Sequence, residues 1–255
     1  AYKKYSKELH KRKMKLVMDV IPNHMGTYNR LFQNPPDSNW INSWPNNSDL
    51  DKDGHVADAI ITNHRYASIY DPYVAQSDKV VLTDGWFVPS MVDINQRNIH
   101  FSNYLIQNSL WWIEEVGIDA FRTDTWVYPD PVFLDKWSKT VHKVYPRFTI
   151  FSEAWVTQRE AQAFYSKKYN SLDAVADFPM YYAFREALEN PTTWNGGLNT
   201  LYMNVASDYL YHSPKKFITF LDNHDEGRFF GKIKEDMSLY KMGVAMLYTM
   251  RGIPC

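Results

Sequence analysis

The sequence predicts an α/β fold in which parallel strands alternate with covering helices. Two observations over the 255 residues predict it. Short apolar runs, typical of strands buried on both faces, alternate with segments whose apolar residues recur every three or four positions, as in helices. Several of the apolar runs end in carboxylate, imidazole or guanidinium side chains. Two closures fit this pattern, an open doubly wound sheet and a (β/α)8 barrel.

The first elements are a helix and a strand. Tyr2, Tyr5 and Leu9 recur at helical spacing, with lysines on the other side. Residues 15–21 form a short, nearly continuous apolar run, which predicts a buried strand. The chain begins without Met or a signal-peptide pattern and stops where a strand is starting, so we expect sequence to be missing at both ends.

A segment of different texture follows, from Met25 to about His100. Between residues 29 and 49 it contains six Asn and three Pro, a composition typical of turns and loops. The whole stretch is too long for a simple connection. We therefore predict a small excursion domain with a few irregular strands.

From residue 101 onward, helices and strands alternate. Gly117 predicts the end of one helix, and Asp130-Pro131 predicts the start of the next through an N-cap and a proline in the first turn. The predicted helices cover 101–116, 131–144, 158–168, 178–190, 198–211 and 236–249, and the predicted strands cover 118–124, 147–153, 172–177, 216–222 and a beginning at 251–255. Counted with strand 15–21, this gives five strand-helix units and the start of a sixth strand, fewer than the eight of a complete barrel.

Composition excludes several classes of function. Twenty-eight basic residues against 29 acidic ones give a net charge of -1, which argues against an electrostatic nucleic-acid binder. No run approaches 18 consecutive apolar residues, so no transmembrane helix is expected. The single cysteine, Cys255, excludes an internal disulfide framework and a structural zinc site built on paired cysteines.

Four strand ends carry polar clusters. They are Asp19–His24, Gly117–Asp124, Phe151–Trp155 and Phe220–Asp225. In a parallel barrel the carboxyl ends of the strands converge on one rim, where active sites are built. Asp124, Glu153 and Asp225 are therefore predicted to meet, although 29 and then 72 residues separate them along the chain.

This set of side chains suits glycoside hydrolysis, which needs one carboxylate as nucleophile and one protonated carboxyl as acid. Arg122 lies two residues before Asp124, so on a strand both side chains point the same way, and the guanidinium would keep Asp124 ionised as the nucleophile. Glu153 is flanked by Phe151 and Trp155. An apolar setting raises a carboxyl pKa, as an acid catalyst requires.

Simpler interpretations apply to each residue alone. A strand-end carboxylate can be an ordinary helix N-cap, a lone histidine can be structural, and an Asn-His-Asp set could ligate a metal. The catalytic hypothesis depends on all four clusters following strands, in order.

The four clusters resemble the four sequence regions of the alpha-amylase family, glycoside hydrolase family 13. They match the regions at the ends of the third, fourth, fifth and seventh barrel strands. Met91–Asn95 is similar to a fifth region found in the neopullulanase and cyclomaltodextrinase branch, and Arg251–Cys255 resembles the opening of the eighth strand. The resemblance implies a (β/α)8 TIM barrel, incomplete in this chain, from residues 1–24 and 101–255, with a domain B-like excursion at 25–100.

The resemblance also implies a role for each site residue. Asp124 would be the nucleophile, Glu153 the general acid/base and Asp225 the transition-state stabiliser; His24 and His224 would bind sugar, and Arg122, supported by Asp19, would orient the nucleophile. The reaction would be retaining hydrolysis of α-glucosidic bonds in starch-type α-glucans or maltooligosaccharides, through a covalent glycosyl-enzyme. A transglycosylase or disaccharide isomerase on the same scaffold stays an alternative, as does a non-catalytic amylase-like binding protein.

Some features leave the details open. The residues after Asp124 begin with Thr125-Trp126 and lack the Lys-His pair of many starch amylases, and Val92 replaces the usual Pro of the branch, so α-1,4 or α-1,6 preference stays open. Asn23 matches a calcium ligand of many amylases, which leaves Ca²⁺ as an option without assigning a metal. Oligomeric state stays unknown, and the compartment does too, with periplasmic or extracellular location slightly favoured.

Aromatic residues make up 16% of the sequence, and flat rings stack on sugar faces. We predict sugar platforms at Trp86, Phe87, Trp126 and Trp155. We assign Phe101, Trp111 and Trp112 to the core.

Overall fold

A computed structural model describes residues 1–43, 52–54, 59–168, 172–190 and 194–255. The chain forms two compact units, residues 1–153 and 154–255. In the described part of the chain no helix is long and apolar enough to cross a membrane.

The described part of the first unit contains three paired parallel strands, a two-stranded antiparallel sheet and several helices. Its strands are β1 (Val17–Val20), β2 (His24–Gly26), β3 (Met91–Asp93), β4 (Ala120–Thr123) and β5 (Thr149–Ser152), and its helices are α1 (Tyr2–Lys11), α2 (Arg30–Gln33), α3 (Gln76–Asp84), α4 (Ile99–Val116) and α5 (Pro131–Val144). Strands β1, β4 and β5 pair in that order, and their last residues, Val20, Thr123 and Ser152, are aligned. The residues that follow these three strands therefore leave the sheet at one edge.

Local sequence sets the ends of α4 and α5 as predicted. The Asn98 side chain accepts hydrogen bonds from the first backbone amides of α4, which is why the helix begins two residues earlier than predicted. Gly117 ends α4 in the left-handed conformation, with φ 76°. The Asp130 carboxylate accepts from Phe133 N, and Pro131 occupies the first turn of α5.

The assignment of Trp111 to the core is wrong. Phe101 is buried and Trp112 half-buried against Tyr2, but Trp111 is 52% exposed. Residues two apart on a helix do not share a face, and Trp111 lies two positions from both Ser109 and Ile113, which are buried.

The excursion forms a small antiparallel ribbon with its own core. Strands β2 and β3 pair with His24 opposite Asp93, which agrees with the few irregular strands predicted. The buried residues of this core are Met25, Phe32, Ile41, Trp86, Val92, Ile94 and Phe101. Helix α3 was not predicted. Residues 44–51 and 55–58, including Trp44, lie outside the described ranges, and the division into a domain at 25–100 stays a prediction.

The second unit repeats the strand-helix alternation. Its strands are β6 (Ala174–Ala176), β7 (Phe217–Thr219) and β8 (Ile253–Pro254), and its helices are α6 (Arg159–Lys168), α7 (Phe178–Glu189), α8 (Leu198–Ala206), α9 (Phe229–Lys232) and α10 (Met237–Thr249). Strand β7 pairs in parallel with β6 and β8. Of these elements only the four-residue helix α9 was not predicted. A core of α7, α8, α9 and α10 residues closes around Phe184 and Phe229.

Candidate active site

The backbone brings Asp124 and Glu153 to the same edge of the first unit's sheet. Asp124 N donates to Val20 O at 2.9 Å, and Glu153 N donates to Thr123 O at 2.8 Å, so the ladder continues one residue past the strands. Trp126 N then donates back to Glu153 O at 3.0 Å. The two acidic residues are thus held on neighbouring chains rather than on free loops.

A single guanidinium binds three carboxylates at this edge. Arg122 Nη1 lies 3.0 Å from both oxygens of Asp19 and 2.5 Å from Asp124 Oδ1, and Arg122 Nη2 lies 2.6 Å from Glu153 Oε1. Asp124 and Glu153 are therefore close neighbours, because each contacts a terminal nitrogen of the same planar group.

The charges within this group do not balance. Burial alone would lower the pKa of Arg122, but the facing carboxylates of Glu153, Asp19 and Asp124 outweigh burial and hold the pKa above its usual value. Arg122 is therefore always a cation, and it faces three acids. An excess of negative charge in a partly buried cluster favours the uptake of a proton, which is the capacity that acid catalysis requires.

The setting of Glu153 differs from the apolar one that the sequence predicts. Its side chain is buried, with the residue 4% exposed, but both oxygens are hydrogen-bonded. Arg122 Nη2 contacts Oε1, and the backbone amide of Thr125 donates to Oε2 at 2.9 Å. The carboxyl is thus held by charged and polar groups, which fix its orientation.

His24 lies beside the acidic cluster on β2. Its ring stacks on Phe87, with centroids 5.4 Å apart and planes 21° apart. Burial lowers the pKa of His24, and the charge of Asp124 opposes that shift in part. An uncharged imidazole near Asp124 can donate one hydrogen bond and accept another, as binding to sugar hydroxyls requires.

Two residues near the acids were missed from the sequence. His64 and Tyr128 both meet Phe87 edge to face, and His64 Nδ1 lies 3.1 Å from Tyr128 Oη. Burial and the charge of Glu153 raise the pKa of Tyr128 to about 12, which shows that the phenol stands near the acid. Neither residue belongs to a periodic pattern, so no sequence signal pointed to them.

The structure corrects two of the four predicted sugar platforms. Trp86 and Trp126 are 0% and 1% exposed, so neither ring has a face for a sugar, and their role is packing. Phe87 is half-buried against His24. Trp155, in the second unit, is 36% exposed; it stacks on Phe178 at 5.0 Å and donates from Nε1 to Tyr182 Oη at 2.8 Å.

His224 and Asp225 belong to the second unit, in the loop after β7. His224 Nε2 lies 3.2 Å from Asp225 Oδ2, and both side chains are exposed. The side chain of Asn223 shapes the loop, because its Oδ1 accepts from the backbone amides of Asp225 and Glu226. The meeting of Asp225 with Asp124 and Glu153 stays a prediction.

Two buried oxygens next to His24 are of the kind that calcium binds. Asn23 Oδ1 and Asp93 Oδ1 have no hydrogen-bond partner within the described ranges, and the two residues are on adjoining chains, since Ile94 N donates to Asn23 O. Calcium takes about six to eight oxygens. Among the residues that the structure describes, no cluster of three His, Cys, Asp or Glu could hold a metal. Two such oxygens do not make a calcium site, and no metal is assigned to these residues.

Comparison with known proteins agrees with this geometry. Residues 1–255 match the family model "Alpha amylase, catalytic domain". Alpha-amylase 2 of Dictyoglomus thermophilum is 24% identical over 255 residues, covering 99% of this chain and 39% of that protein. An intracellular maltogenic amylase of Bacillus subtilis (strain 168) is 22% identical, covering 97% of this chain and 38% of that protein. The crystal structure of an alpha-amylase from Geobacillus thermoleovorans, complexed with acarbose, is 28% identical with a TM-score of 0.77, covering 99% of this chain and 51% of that one.

Parallel strands, covering helices and acids at the strand ends define the class of α/β barrel catalytic domains. Within that class, the chain belongs to the alpha-amylase family. It is a partial (β/α)8 catalytic domain, which confirms the predicted fold class, and it spans about two-fifths of the length of the curated relatives above. The maltogenic amylase among them agrees with the predicted branch.

Proposed function

We propose that the protein carrying this chain hydrolyses α-glucosidic bonds in starch-type α-glucans or maltooligosaccharides with retention of configuration. The observation that carries the proposal is the binding of Asp124 and Glu153 by one guanidinium, that of Arg122. Membership of the alpha-amylase family supports the substrate class.

The mechanism follows from the two carboxyl groups. Asp124 Oδ attacks the anomeric carbon while Glu153 gives its proton to the departing glycosidic oxygen, so the C–O bond to the leaving sugar breaks as the bond to Asp124 forms. Glu153, now a carboxylate, takes a proton from water, whose oxygen displaces Asp124 from the same carbon. Two displacements at one carbon restore the α configuration.

The proposed pathway requires closely spaced carboxyl groups. Carboxyl groups of retaining enzymes lie ~5–5.5 Å apart, whereas inverting enzymes leave ~6.5–9.5 Å for a water molecule. Hydrogen bonds from the two terminal nitrogens of Arg122 hold Asp124 and Glu153 close together. Arg122 also offsets part of the negative charge of the two carboxyl groups.

The remaining predicted residues would complete the site. His24 and His224 would bind hydroxyls of the sugar, Asp225 would stabilise its transition state, and Asp19 would support Arg122. Phe87, with the excursion at residues 25–100, would form one wall. Trp155, with its partly exposed ring, would be a further sugar platform.

The test is made on the full-length gene product. Asp124→Ala and Glu153→Gln should each remove nearly all release of reducing sugar from maltooligosaccharides while binding of the same sugars survives. Asp135→Ala, which breaks an exposed ion pair with Lys139, is the matched control and should keep full activity. Retention of more than a few per cent of activity in either acid variant would overturn the assignment.

Product analysis separates the alternatives. Proton NMR of the first product should show the α anomer. Longer or rearranged sugars as the main products would favour a transglycosylase or isomerase, because sugar instead of water would then capture the glycosyl-enzyme. Binding without turnover in the unaltered protein would identify a non-catalytic relative.

A further inference from the structure

The residue after Asp124 has a strained backbone. Thr125 has φ 49°, in the left-handed region. Thr is branched at Cβ, and a branched residue in this region is a genuine outlier that persists only where the surroundings impose it. Thr125 is also 8% exposed, so the strain lies inside the site rather than at a loose surface turn.

The strained turn directs two successive amides at Glu153. Thr125 N donates to Glu153 Oε2 at 2.9 Å, and Trp126 N donates to Glu153 O at 3.0 Å. The hydroxyl of Thr125 finds no hydrogen-bond partner among the described residues. The polar contact that Thr125 makes with Glu153 is therefore made by its main chain.

The two oxygens of Glu153 have different partners. Oε2 is held by an amide that cannot move without unmaking the turn. Oε1 is held by the Arg122 side chain, which Asp19 and Asp124 also bind. Two titratable groups besides Arg122 lie near Glu153: the Asp124 carboxyl, on the same guanidinium, and the Tyr128 phenol. Of these two contacts, the one to Oε1 is made by a side chain and the one to Oε2 by the backbone.

We propose that Thr125 is a positioning residue for the acid/base: its left-handed backbone fixes the Glu153 carboxyl through Oε2 and leaves Oε1 to carry and deliver the proton. The inference deepens the proposed hydrolysis and rests on it. On proton delivery the O–H bond at Oε1 breaks and an O–H bond forms on the departing sugar. The negative charge left on Glu153 is then stabilised by the Thr125 amide and by the returning Arg122 guanidinium.

The first experiment removes only the amide hydrogen. Threonine's α-hydroxy analogue at position 125 turns the amide into an ester in the full-length protein. Since the N–H favours the ionised carboxyl, its loss should move the alkaline limb of the kcat/KM profile up by about one pH unit and lower kcat about tenfold.

Two controls show whether the hydrogen bond is responsible. Thr125→Gly keeps the N–H and accepts positive φ without strain, so its alkaline limb should stay where it is in the unaltered protein. An ester at Asn39, whose amide donates to the exposed Asp37 carboxylate at 3.0 Å, should leave the profile unchanged. An alkaline limb that stays in place in the Thr125 ester, or that moves equally in Thr125→Gly, would overturn the proposal.

A second measurement needs neither a Thr125 variant nor turnover. In protein labelled with ¹⁵N-threonine, the Thr125 amide proton should shift downfield as Glu153 ionises, and Glu153→Gln should abolish that titration. A Thr125 signal that ignores pH, or that titrates equally in Glu153→Gln, contradicts the inference. If the unaltered protein hydrolyses no maltooligosaccharide, the proposed function is contradicted. The NMR titration would still test whether the Thr125 amide binds the Glu153 carboxylate.

Discussion

Arg122 in the first unit and Arg251 in the second each bind a carboxylate that follows a strand. Arg122 binds Asp19, Asp124 and Glu153 in the first unit. Arg251 binds Asp177 and Asp208 in the second, and its guanidinium lies 5.6 Å from the ring centroids of Tyr211 and Phe217. Both clusters combine the same residue types, yet we assign chemistry only to the first.

The two clusters differ in the number of acids on each arginine and in their exposure to solvent. Asp177 is fully buried; its Oδ1 accepts from Met180 N, which caps α7, and its Oδ2 pairs with Arg251. Both of its oxygens are thus used by the fold. In the first unit one guanidinium serves three acids, and the Asp19 side chain is 44% exposed, so the cluster meets solvent with spare negative charge. The Arg122 cluster thus differs from the Arg251 cluster in its larger excess of acids and in the exposure of one of them.

The largest expected effect is a difference in protein stability when an acid is removed from each cluster. Asp177→Ala leaves Arg251 with one carboxylate in a buried site and removes the cap of α7, so we expect a loss of about 3–5 kcal/mol in the free energy of unfolding. Asp124→Ala leaves Arg122 with two partners and should change it by less than about 1 kcal/mol. Urea unfolding measures both. Equal losses in the free energy of unfolding would show that both clusters stabilise the fold to the same extent.

The control for that comparison is Asp78→Ala, which breaks an exposed ion pair with Arg65. It should cost less than about 1 kcal/mol. A larger cost there would mean that the surface pairs of this chain are unusually strong and that burial is not what distinguishes Asp177.

The next largest effect is a fall in kcat when the planar guanidinium of Arg122 is replaced by an ammonium. Arg122→Lys keeps the charge, but an ammonium cannot present two nitrogens to Asp124 and Glu153 at once. We expect kcat to fall about 100-fold, equal to about 2.7 kcal/mol in the activation free energy. The matched change Arg65→Lys, at the exposed pair with Asp78, should leave kcat alone. Full activity of Arg122→Lys would show that charge alone suffices.

The smallest expected effect is on the pH dependence of stability, through His64 in the first unit. Burial lowers the pKa of His64, so the unfolded chain binds the proton more tightly and stability falls as pH drops below about 6.5. His64→Gln removes this titration and should flatten the decline in melting temperature between pH 7 and pH 5. An equally steep decline in both proteins would contradict the lowered pKa.

Much of this architecture could be predicted from the sequence, because local rules set it. The apolar runs, the Asp130 cap and the Gly117 stop act within a few residues of where they stand. The nearness of Arg122 to Asp124 follows from strand alternation alone. Strand pairing then brings Glu153 beside them.

Other features depend on contacts that no local pattern encodes. Trp86 and Trp126 look like platforms in the sequence but pack into cores that distant residues complete. The contact of His64 with Tyr128 joins the excursion to the segment after β4. Thr125 has a residue type that disfavours positive φ, so its conformation becomes visible only with the Glu153 carboxyl that it serves.

The most direct test of the central claim, that Asp124 and Glu153 act as nucleophile and acid/base, is to trap the covalent intermediate. A fluorinated α-glucosyl fluoride should inactivate the full-length protein, and peptide mass spectrometry should find one glucosyl group esterified to Asp124. Glu153→Gln should release that group more slowly, because no base activates water. Glucosyl on another carboxylate, or turnover to the β anomer with no adduct at any time, would contradict the account.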